Sequence, residues 1–388
     1  MKIVSVTSVP LTAPYLPPRP LTCPPESTVR NCVWVRIETD EGITGWGEAY
    51  SGCYATEVTV SSIRRHSRSI LGMEASDPAT VLAHMRFCNR YWAMRGIGAQ
   101  ATSAIEGALW DIAGKAKSQP LWKLLGDGKP HPVLLYASDG GNPRTPEEIF
   151  EETQYYVGLG YRAYKMSCGG DPDENGDRVS LDLERVKAAR EGLGHDRFLF
   201  VDTCVPQRSM NWQRGRAEAY LEALAPFRPR FIEEPAMTYE LERYRELQAL
   251  GLIPTAGGES FTSPEEFEPF LKSGALGVAQ PDAAVVGGPA SCVEACKMAQ
   301  SCGVSVCLHT WCAGVGIAQN IQAACSVDGL LAMEFPQYVN PLATEPLKLI
   351  WKFEDGYLSP PIEPGLGVQI SDELLRKYEY RPGSERDY

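Results

Sequence analysis

Six residues that could carry acid–base or metal chemistry each stand at the end of a short apolar run. They are Lys165, Asp202, Glu233, Glu259, Asp282 and His309. After Asp202 the successive gaps are 31, 26, 23 and 27 residues, each close to the length of one strand plus one helix. In a (β/α)8 barrel the carboxyl ends of the strands meet at one mouth, where catalytic residues gather. The spacing therefore predicts that these six side chains converge on one site.

Three of these residues, Asp202, Glu233 and Glu259, end consecutive strands and would bring three carboxylates together. Buried like charges cannot all stay ionised without a compensating cation. Carboxylates without cysteine or histidine suit a hard cation, so we predict one Mg2+ per subunit. The alternative is that each acid caps a helix or forms a salt bridge, which suits one such residue better than three in series.

Asp282 and His309 end the next two strands and form a candidate acid–base pair. A carboxylate beside a histidine fixes the tautomer of the ring and raises its basicity. Lys165 could hold a substrate carboxylate or take an α-proton, and Glu334, at the end of the eighth strand, could contact a developing oxyanion. The alternatives are a core histidine satisfied by its neighbours and a strand-end lysine that reaches solvent.

Eight β-rich runs, separated by amphipathic segments, would position these residues. The predicted strands lie near 133–138, 162–167, 198–203, 230–234, 253–257, 276–280, 304–309 and 330–335. Strands that alternate with helices imply parallel pairing, and eight such units favour closure into a barrel. The predicted fold class is α/β, with a modified TIM-type (β/α)8 barrel as the catalytic domain over residues 126–351.

The first 125 residues do not show this alternation of strands and helices. Their pattern predicts a separate α+β capping domain. Residues 32–50 alternate on both arms of a hairpin, and an apolar helical stripe runs through 98–116. The Pro- and Gly-rich tail, residues 352–388, is expected to cross back and complete this domain.

Composition argues against several partners. No apolar run approaches the roughly 18 residues of a membrane span, and the N-terminus alternates like a strand instead of carrying a signal peptide. The net charge is −12, without a basic stripe that could bind nucleic acid. The twelve cysteines form no CxxC pair, and several lie in or beside apolar strand runs, so we expect a reduced, cytoplasmic protein.

Several motifs occur together over the whole length of the chain. The capping region carries GITGWGEA (42–49) and ATSAIEGALWDIAGKAKSQPLWKLLG (101–126). The barrel region carries KxS at 165–167, Asp202, IEEP at 232–235, GE at 258–259, PDAAVVGG at 281–288 and His309. In this order and combination, the motifs resemble those of the enolase superfamily, in particular its mandelate racemase-like subgroup.

The resemblance implies Mg2+-assisted removal of the proton α to a carboxylate, giving an enediolate held by the metal. By position, the implied metal ligands are Asp202, Glu233 and Glu259. His309, paired with Asp282, is the implied acid/base on one face, and Lys165 and Glu334 contact the substrate carboxylate and enediolate oxygens. The resemblance also implies a homo-oligomer, from dimer to octamer.

Two positions depart from the subgroup. Its racemases carry K-x-K, whose second lysine is the base on the opposite face, but this chain has Ser167 there. A serine hydroxyl without a base beside it cannot take an α-proton. Cys204 replaces a common asparagine, which changes a polar contact near the substrate or metal. Arg19 and Tyr50 lie in the loops that set specificity in this family and are candidates to contact a distal substrate group.

One competent base predicts dehydration of a sugar acid to a 2-keto-3-deoxy acid. His309 would remove the α-proton and then protonate the β-hydroxyl as it leaves. The alternatives are a cycloisomerase or β-elimination on a sugar lactone or anhydro sugar acid, a C2 racemase or epimerase, and an acid-binding protein without turnover. A small-molecule carboxylate is thus the expected partner, with neither nucleic acid nor membrane.

Overall fold

A computed structural model describes residues 1–16, 28–139, 144–168, 178–204 and 216–384. The chain opens with a three-stranded antiparallel sheet formed by β1 (Ile3–Pro14), β2 (Val29–Thr39) and β3 (Thr44–Ala49). Four helices follow: α1 (Thr56–Ser67), α2 (Pro78–Asn89), α3 (Gly96–Ala116) and α4 (Leu121–Leu125). Sheet and helices share one apolar core, because the alternating strands and the stripe of α3 each have one apolar face.

Eight parallel strands then close a barrel. They are β4 (Val133–Asp139), β5 (Ala163–Ser167), β6 (Phe198–Asp202), β7 (Ile232–Glu233), β8 (Thr255–Gly257), β9 (Val278–Ala279), β10 (Ser305–Leu308) and β11 (Ala332–Pro336). Each strand pairs with the next in the chain, and β11 pairs with β4 to complete the ring. The predicted fold class is confirmed.

Helices follow the first seven strands and cover the outside of the barrel. They are α5 (Pro146–Gly158), α6 (Arg178–Leu193), α7 (Arg216–Leu224), α8 (Leu241–Ala249), α9 (Pro264–Lys272), α10 (Pro289–Ser301) and α11 (Gly314–Ala324). Helix α5 begins with a capping box between Thr145 and Glu148. Helix α11 was not predicted, because all eleven of its residues are buried and it therefore has no amphipathic pattern.

The remaining elements bring the C-terminal tail back to the capping sheet. They are α12 (Pro341–Thr344), the hairpin β12 (Phe353–Glu354) and β13 (Tyr357–Leu358), and α13 (Asp372–Lys377). Strand β13 adds antiparallel to β4, and the N–H of Thr12 in β1 donates to the carbonyl of Tyr378 at 2.9 Å. In the part of the chain that the structure describes, no helix is long and apolar enough to cross a bilayer.

The barrel interior is lined by one layer of mainly apolar side chains. Each strand contributes one member, and these are Tyr136, Ala163, Phe200, Phe231, Ala256, Val278, Cys307 and Ala332, while Leu134 lies one inward position earlier on β4. Successive side chains of a strand point to opposite faces, so the next inward position lies two residues further along each strand. The layer therefore fixes which residues face the mouth.

Helix α3 carries a buried acid, Glu106, where the capping region meets the barrel. Its Oε1 accepts hydrogen bonds from Trp110 Nε1 at 3.1 Å and from the N–H of Ala290 at 3.2 Å. A Cβ at Gly288, where φ is +114°, would lie 1.8 Å from Glu106 Oε2, so this close approach requires glycine. Burial raises the pKa of Glu106 to about 8.

Glu106→Gln is expected to stabilise the protein selectively at alkaline pH. Because the pKa of Glu106 is raised on folding, its stabilising contribution is complete below the ordinary value of 4.5 and is lost as the pH rises through about 8. Glutamine does not ionise, so the variant should gain about 3 kcal/mol in the free energy of unfolding, relative to wild type, between about pH 6 and pH 9. Urea denaturation at both pH values measures this gain, and parallel pH dependences would contradict it.

Candidate active site

The inward position two residues beyond the apolar layer carries a polar side chain on seven of the eight strands. These side chains are Ser138, Lys165, Asp202, Glu233, Gln280, His309 and Glu334, and all of them are buried. The strand alternation that builds the core thus also builds a polar ring at the barrel mouth. Five members of this ring were predicted as site residues, and Ser138 and Gln280 were not.

The remaining predicted acid, Glu259, reaches the mouth through a break in the alternation. On β8 the position two residues beyond Ala256 is Gly258, whose φ of +104° is a conformation that L side chains rarely adopt. The turn there brings Glu259 Oε2 to 3.6 Å from His309 Nε2. The glycine of the GE motif therefore serves to aim the glutamate that follows it.

His309 and Asp282 form a close buried pair, as predicted. His309 Nδ1 lies 2.8 Å from Asp282 Oδ2, which leaves Nε2 facing Glu259 and Glu334, each at 3.6 Å. Burial alone would lower the pKa of His309, but Glu259, Glu334 and Asp282 outweigh it and raise the pKa to about 10. These carboxylates therefore make Nε2 a position that binds a proton readily.

The carboxylate of Asp282 is itself held in place by several donors. Its Oδ1 accepts from the N–H of Ala284 at 2.7 Å and from Asn320 Nδ2 at 2.8 Å. Cys312 Sγ lies 3.7 Å from Oδ2. Asn320, on α11, also accepts from the N–H of Ala283, so it fixes both the acid and its turn. This support was not predicted, although Asn320 is one of three polar residues, with Gln319 and Gln322, in a run that is otherwise apolar or glycine.

Lys165 lies among three carboxylates. Its Nζ is 2.9 Å from Glu233 Oε2, 2.8 Å from Glu334 Oε1 and 3.5 Å from Asp202 Oδ2. Burial alone would lower the pKa of Lys165, but Glu233 and Glu334 hold it well above the usual range. The ammonium group therefore supplies positive charge to the ring from the side of β5.

Glu334 connects the two cationic side chains. It lies between Lys165 and His309, and its Oε2 accepts from the N–H of Thr310 at 3.0 Å. Burial would raise the pKa of Glu334, but Lys165 and His309 outweigh burial, and a hydrogen bond from Ser138 also lowers it. Glu334 is thus held as a carboxylate at the centre of the site.

The donor chemistry of Asp202, Glu233 and Glu259 fits a divalent cation. Glu233 is fully buried, and its Oε1 has no hydrogen-bond partner among the described residues. Burial raises the pKa of Glu233 well above its ordinary range, and Asp202 and Glu259 add to this effect although Lys165 opposes it. Among the described residues, no three His, Cys, Asp or Glu side chains lie close enough together to hold a metal ion as they stand. Their assignment as ligands stays a prediction.

The four predicted substrate contacts are placed differently. Tyr50 packs edge-on against His309, with ring centroids 5.9 Å apart. Ser167 lies at the end of β5, opposite Asp202 in the strand pairing, and is half-buried. Cys204 is buried at φ +48°, and its N–H donates to Asp202 Oδ1 at 2.8 Å. Arg19 lies outside the described residues. Contact of these residues with substrate stays a prediction.

Comparison with protein families gives two matches. Residues 8–126 match the mandelate racemase / muconate lactonizing enzyme N-terminal domain. Residues 148–374 match the enolase C-terminal domain-like family. Together they span both the capping region and the barrel.

Curated relatives and a solved structure are similar to this chain over most of its length. The D-galactonate dehydratase of Klebsiella pneumoniae is 29% identical over 358 residues, which are 88% of this chain and 90% of the relative. The D-gluconate dehydratase of Thermoproteus tenax is 28% identical, over 90% of this chain and 70% of the relative. The 3,6-anhydro-D-galactonate cycloisomerase of Zobellia galactanivorans superposes with a TM-score of 0.84 at 27% identity, over 98% of this chain and 100% of that structure.

Proposed function

This chain belongs to the mandelate racemase / muconate lactonizing enzyme family of the enolase superfamily, and from that premise we propose that it dehydrates a sugar acid. The product is the corresponding 2-keto-3-deoxy acid. The observation that carries the proposal is the single histidine–aspartate pair at the mouth, with Ser167 where a second lysine would stand on the opposite face. The relatives named as galactonate and gluconate dehydratases support the same reaction class.

One base is sufficient for this reaction. His309 Nε2 removes the proton from the carbon next to the substrate carboxylate, and the electrons of that C–H bond form an enediolate. The imidazolium then gives its proton to the β-hydroxyl as the C–O bond breaks, and water leaves. The resulting enol takes up a proton and becomes the 2-keto acid, so substrate equals product plus one water. Asp282 keeps Nε2 directed at the substrate throughout.

Positive charge must balance the enediolate. Lys165, already among carboxylates, is suited to bind an oxygen of the substrate carboxylate, and Glu334 lies beside both Lys165 and His309. We assign Asp202, Glu233 and Glu259 as the residues that hold one Mg2+, which supplies Lewis-acid stabilisation of negative charge when bound. The orphaned Oε1 of Glu233 supports that assignment.

A panel of mono- and diacid sugars tests the proposal. In the presence of Mg2+, at least one acid should yield a 2-keto product with loss of one water, detected by a carbonyl reagent and by mass spectrometry. An isomeric product without water loss would instead favour a cycloisomerase, the candidate that the Zobellia galactanivorans structure supports. Absence of both turnover and α-proton exchange across the panel would favour the acid-binding protein without turnover.

The proposal also includes the oligomeric state of the protein and its location in the cell. We propose a homo-oligomer, from dimer to octamer, in the cytoplasm. The assembly is supported by a run of exposed apolar side chains at the end of α2 and beyond it. These are Phe87, Tyr91, Trp92 and Met94, of which Tyr91 is 89% exposed. Apolar surface of this kind is typical of protein interfaces. A monomer in sedimentation at working concentration would contradict the assembly.

A further inference from the structure

Gln280 is a member of the polar ring to which neither the family resemblance nor the mechanism above gives a role, and among the described residues it is the ring member whose side-chain polar atoms all lack a hydrogen-bond partner. It follows β9, two residues beyond Val278 of the apolar layer, so the alternation directs it to the barrel mouth. Its backbone N–H donates to the carbonyl of Gly257 at 3.0 Å, which continues the strand pairing to this position. Its side chain is fully buried.

Both polar atoms of the Gln280 side chain lack a hydrogen-bond partner among the described residues. An amide buried without partners costs free energy, so such groups are rare unless a ligand satisfies them. Gln319 is a useful comparison because it is also a fully buried glutamine. Its Oε1 accepts from the N–H of Glu48 at 2.6 Å, and its Nε2 donates to the carbonyl of Ala283 at 3.1 Å. Gln319 has a structural role, and Gln280 has no comparable contact.

The neighbours of Gln280 indicate what its amide would meet. Strand β9 lies between β8, which leads to Glu259, and β10, which leads to His309. The Gln280 side chain therefore lies next to the part of the mouth where the proposed reaction brings the substrate α-carbon to His309 Nε2. An amide offers a donor and an acceptor together, which matches a hydroxyl group, since a hydroxyl can accept one hydrogen bond and donate another.

We propose that Gln280 is a substrate-binding residue that recognises a hydroxyl group of the sugar acid close to the reacting carbon. The inference rests on the proposed function for its ligand class. It also explains why an unpaired amide stands in this ring, because residues selected for binding often reduce the stability of the free protein.

Gln280→Met tests the inference, since methionine has nearly the same length and no hydrogen-bonding amide. In the Mg2+-loaded enzyme without sugar acid, this variant should melt about 1–3 °C higher than wild type, because an unsatisfied amide is removed. The matched control, Gln319→Met, should melt lower, because it breaks two hydrogen bonds. A lower melting temperature for Gln280→Met would show that its amide is structural and would overturn the inference.

Binding gives the second readout. The ligand is whichever sugar acid the wild type turns over fastest, and calorimetry in a His309→Asn background prevents its consumption. Adding Gln280→Met should weaken binding about 10- to 100-fold. Analogues that each lack one hydroxyl identify the contact, because the analogue missing that hydroxyl should bind equally well with and without Gln280.

The outcomes separate this inference from the proposed function. If the wild type turns over a sugar acid and Gln280→Met leaves its affinity unchanged, the inference is wrong and the dehydratase assignment stands. If the wild type neither binds nor turns over any sugar acid, the proposed function is wrong, and the proposed ligand of Gln280 is then wrong as well.

Discussion

Replacing His309 with asparagine is expected to abolish both α-proton exchange and net dehydration. The imidazole removes the proton and then assists the departing hydroxyl, so its loss should lower kcat by at least about 10²–10⁴-fold. Asparagine keeps a polar group of similar size beside Asp282, which limits the structural change. Incubation in D2O, followed by NMR of the C2 position and by assay of the 2-keto product, measures the two losses separately.

Asp282→Asn is expected to have a smaller effect on the rate than His309→Asn. It should keep its affinity for Mg2+ but lose most of the rate, because an amide cannot hold the ring in the same tautomer with the same basicity. Its structural partners, Ala284 and Asn320, would still surround the residue. A rate close to wild type would mean that the pair is not the acid–base centre.

Lys165 offers the one alternative route for proton transfer. If it acted as a second base, His309→Asn would still exchange deuterium into one C2 epimer, and Lys165→Ala would remove that exchange. The ion pairs of Lys165 with Glu233 and Glu334 argue against this, because they occupy its ammonium group as a cation. Residual exchange, or interconversion of C2 epimers by the wild type, would replace the dehydratase with an epimerase.

Removing the divalent cation is expected to have an equally large effect. Chelation should abolish turnover, and Mg2+ should restore it, because the enediolate needs charge stabilisation beyond what Lys165 supplies. Full activity of a verified metal-free enzyme would contradict the ligand assignment of Asp202, Glu233 and Glu259.

Glu233→Gln tests the same assignment without relying on activity. Titration calorimetry with Mg2+ should show weaker binding, while circular dichroism should show an unchanged fold, since glutamine has nearly the volume of glutamate and keeps a polar group beside Lys165. Glu106→Gln is the matched control, because it changes another fully buried glutamate, outside the site, to the same amide. Equal loss of Mg2+ affinity in both variants would indicate a general effect of the substitution.

Much of the architecture and of the site could be predicted from the sequence. Strand ends are visible locally, because apolar runs of fixed length stop at a charged or polar residue and recur at the spacing of a strand and a helix. That regularity was sufficient to place Lys165, Asp202, Glu233, Asp282 and His309 at one mouth. The structure brings them together there, with Asp282 paired to His309 as expected.

The support around these residues could not be predicted in the same way. Asn320 reaches Asp282 from α11, a helix buried on all sides, and such a helix has no amphipathic pattern to reveal it. Ser138 ends an apolar run of ordinary composition, and its place in the polar ring beside Glu334 depends on the pairing of β11 with β4. The contact of Asn320 with Asp282 depends on how neighbouring β/α units pack, and the proximity of Ser138 and Glu334 depends on barrel closure.

The sequence by itself determined the family, the barrel and the types of group at its mouth, because periodicity and residue chemistry are local properties. Only the tertiary structure decided which of these groups have partners. It placed Lys165 in contact with three carboxylates, and it left the amide of Gln280 buried and unpaired. Two glutamines can look alike in the sequence, and whether one is structural or free for a substrate depends on where other strands and helices place their donors and acceptors.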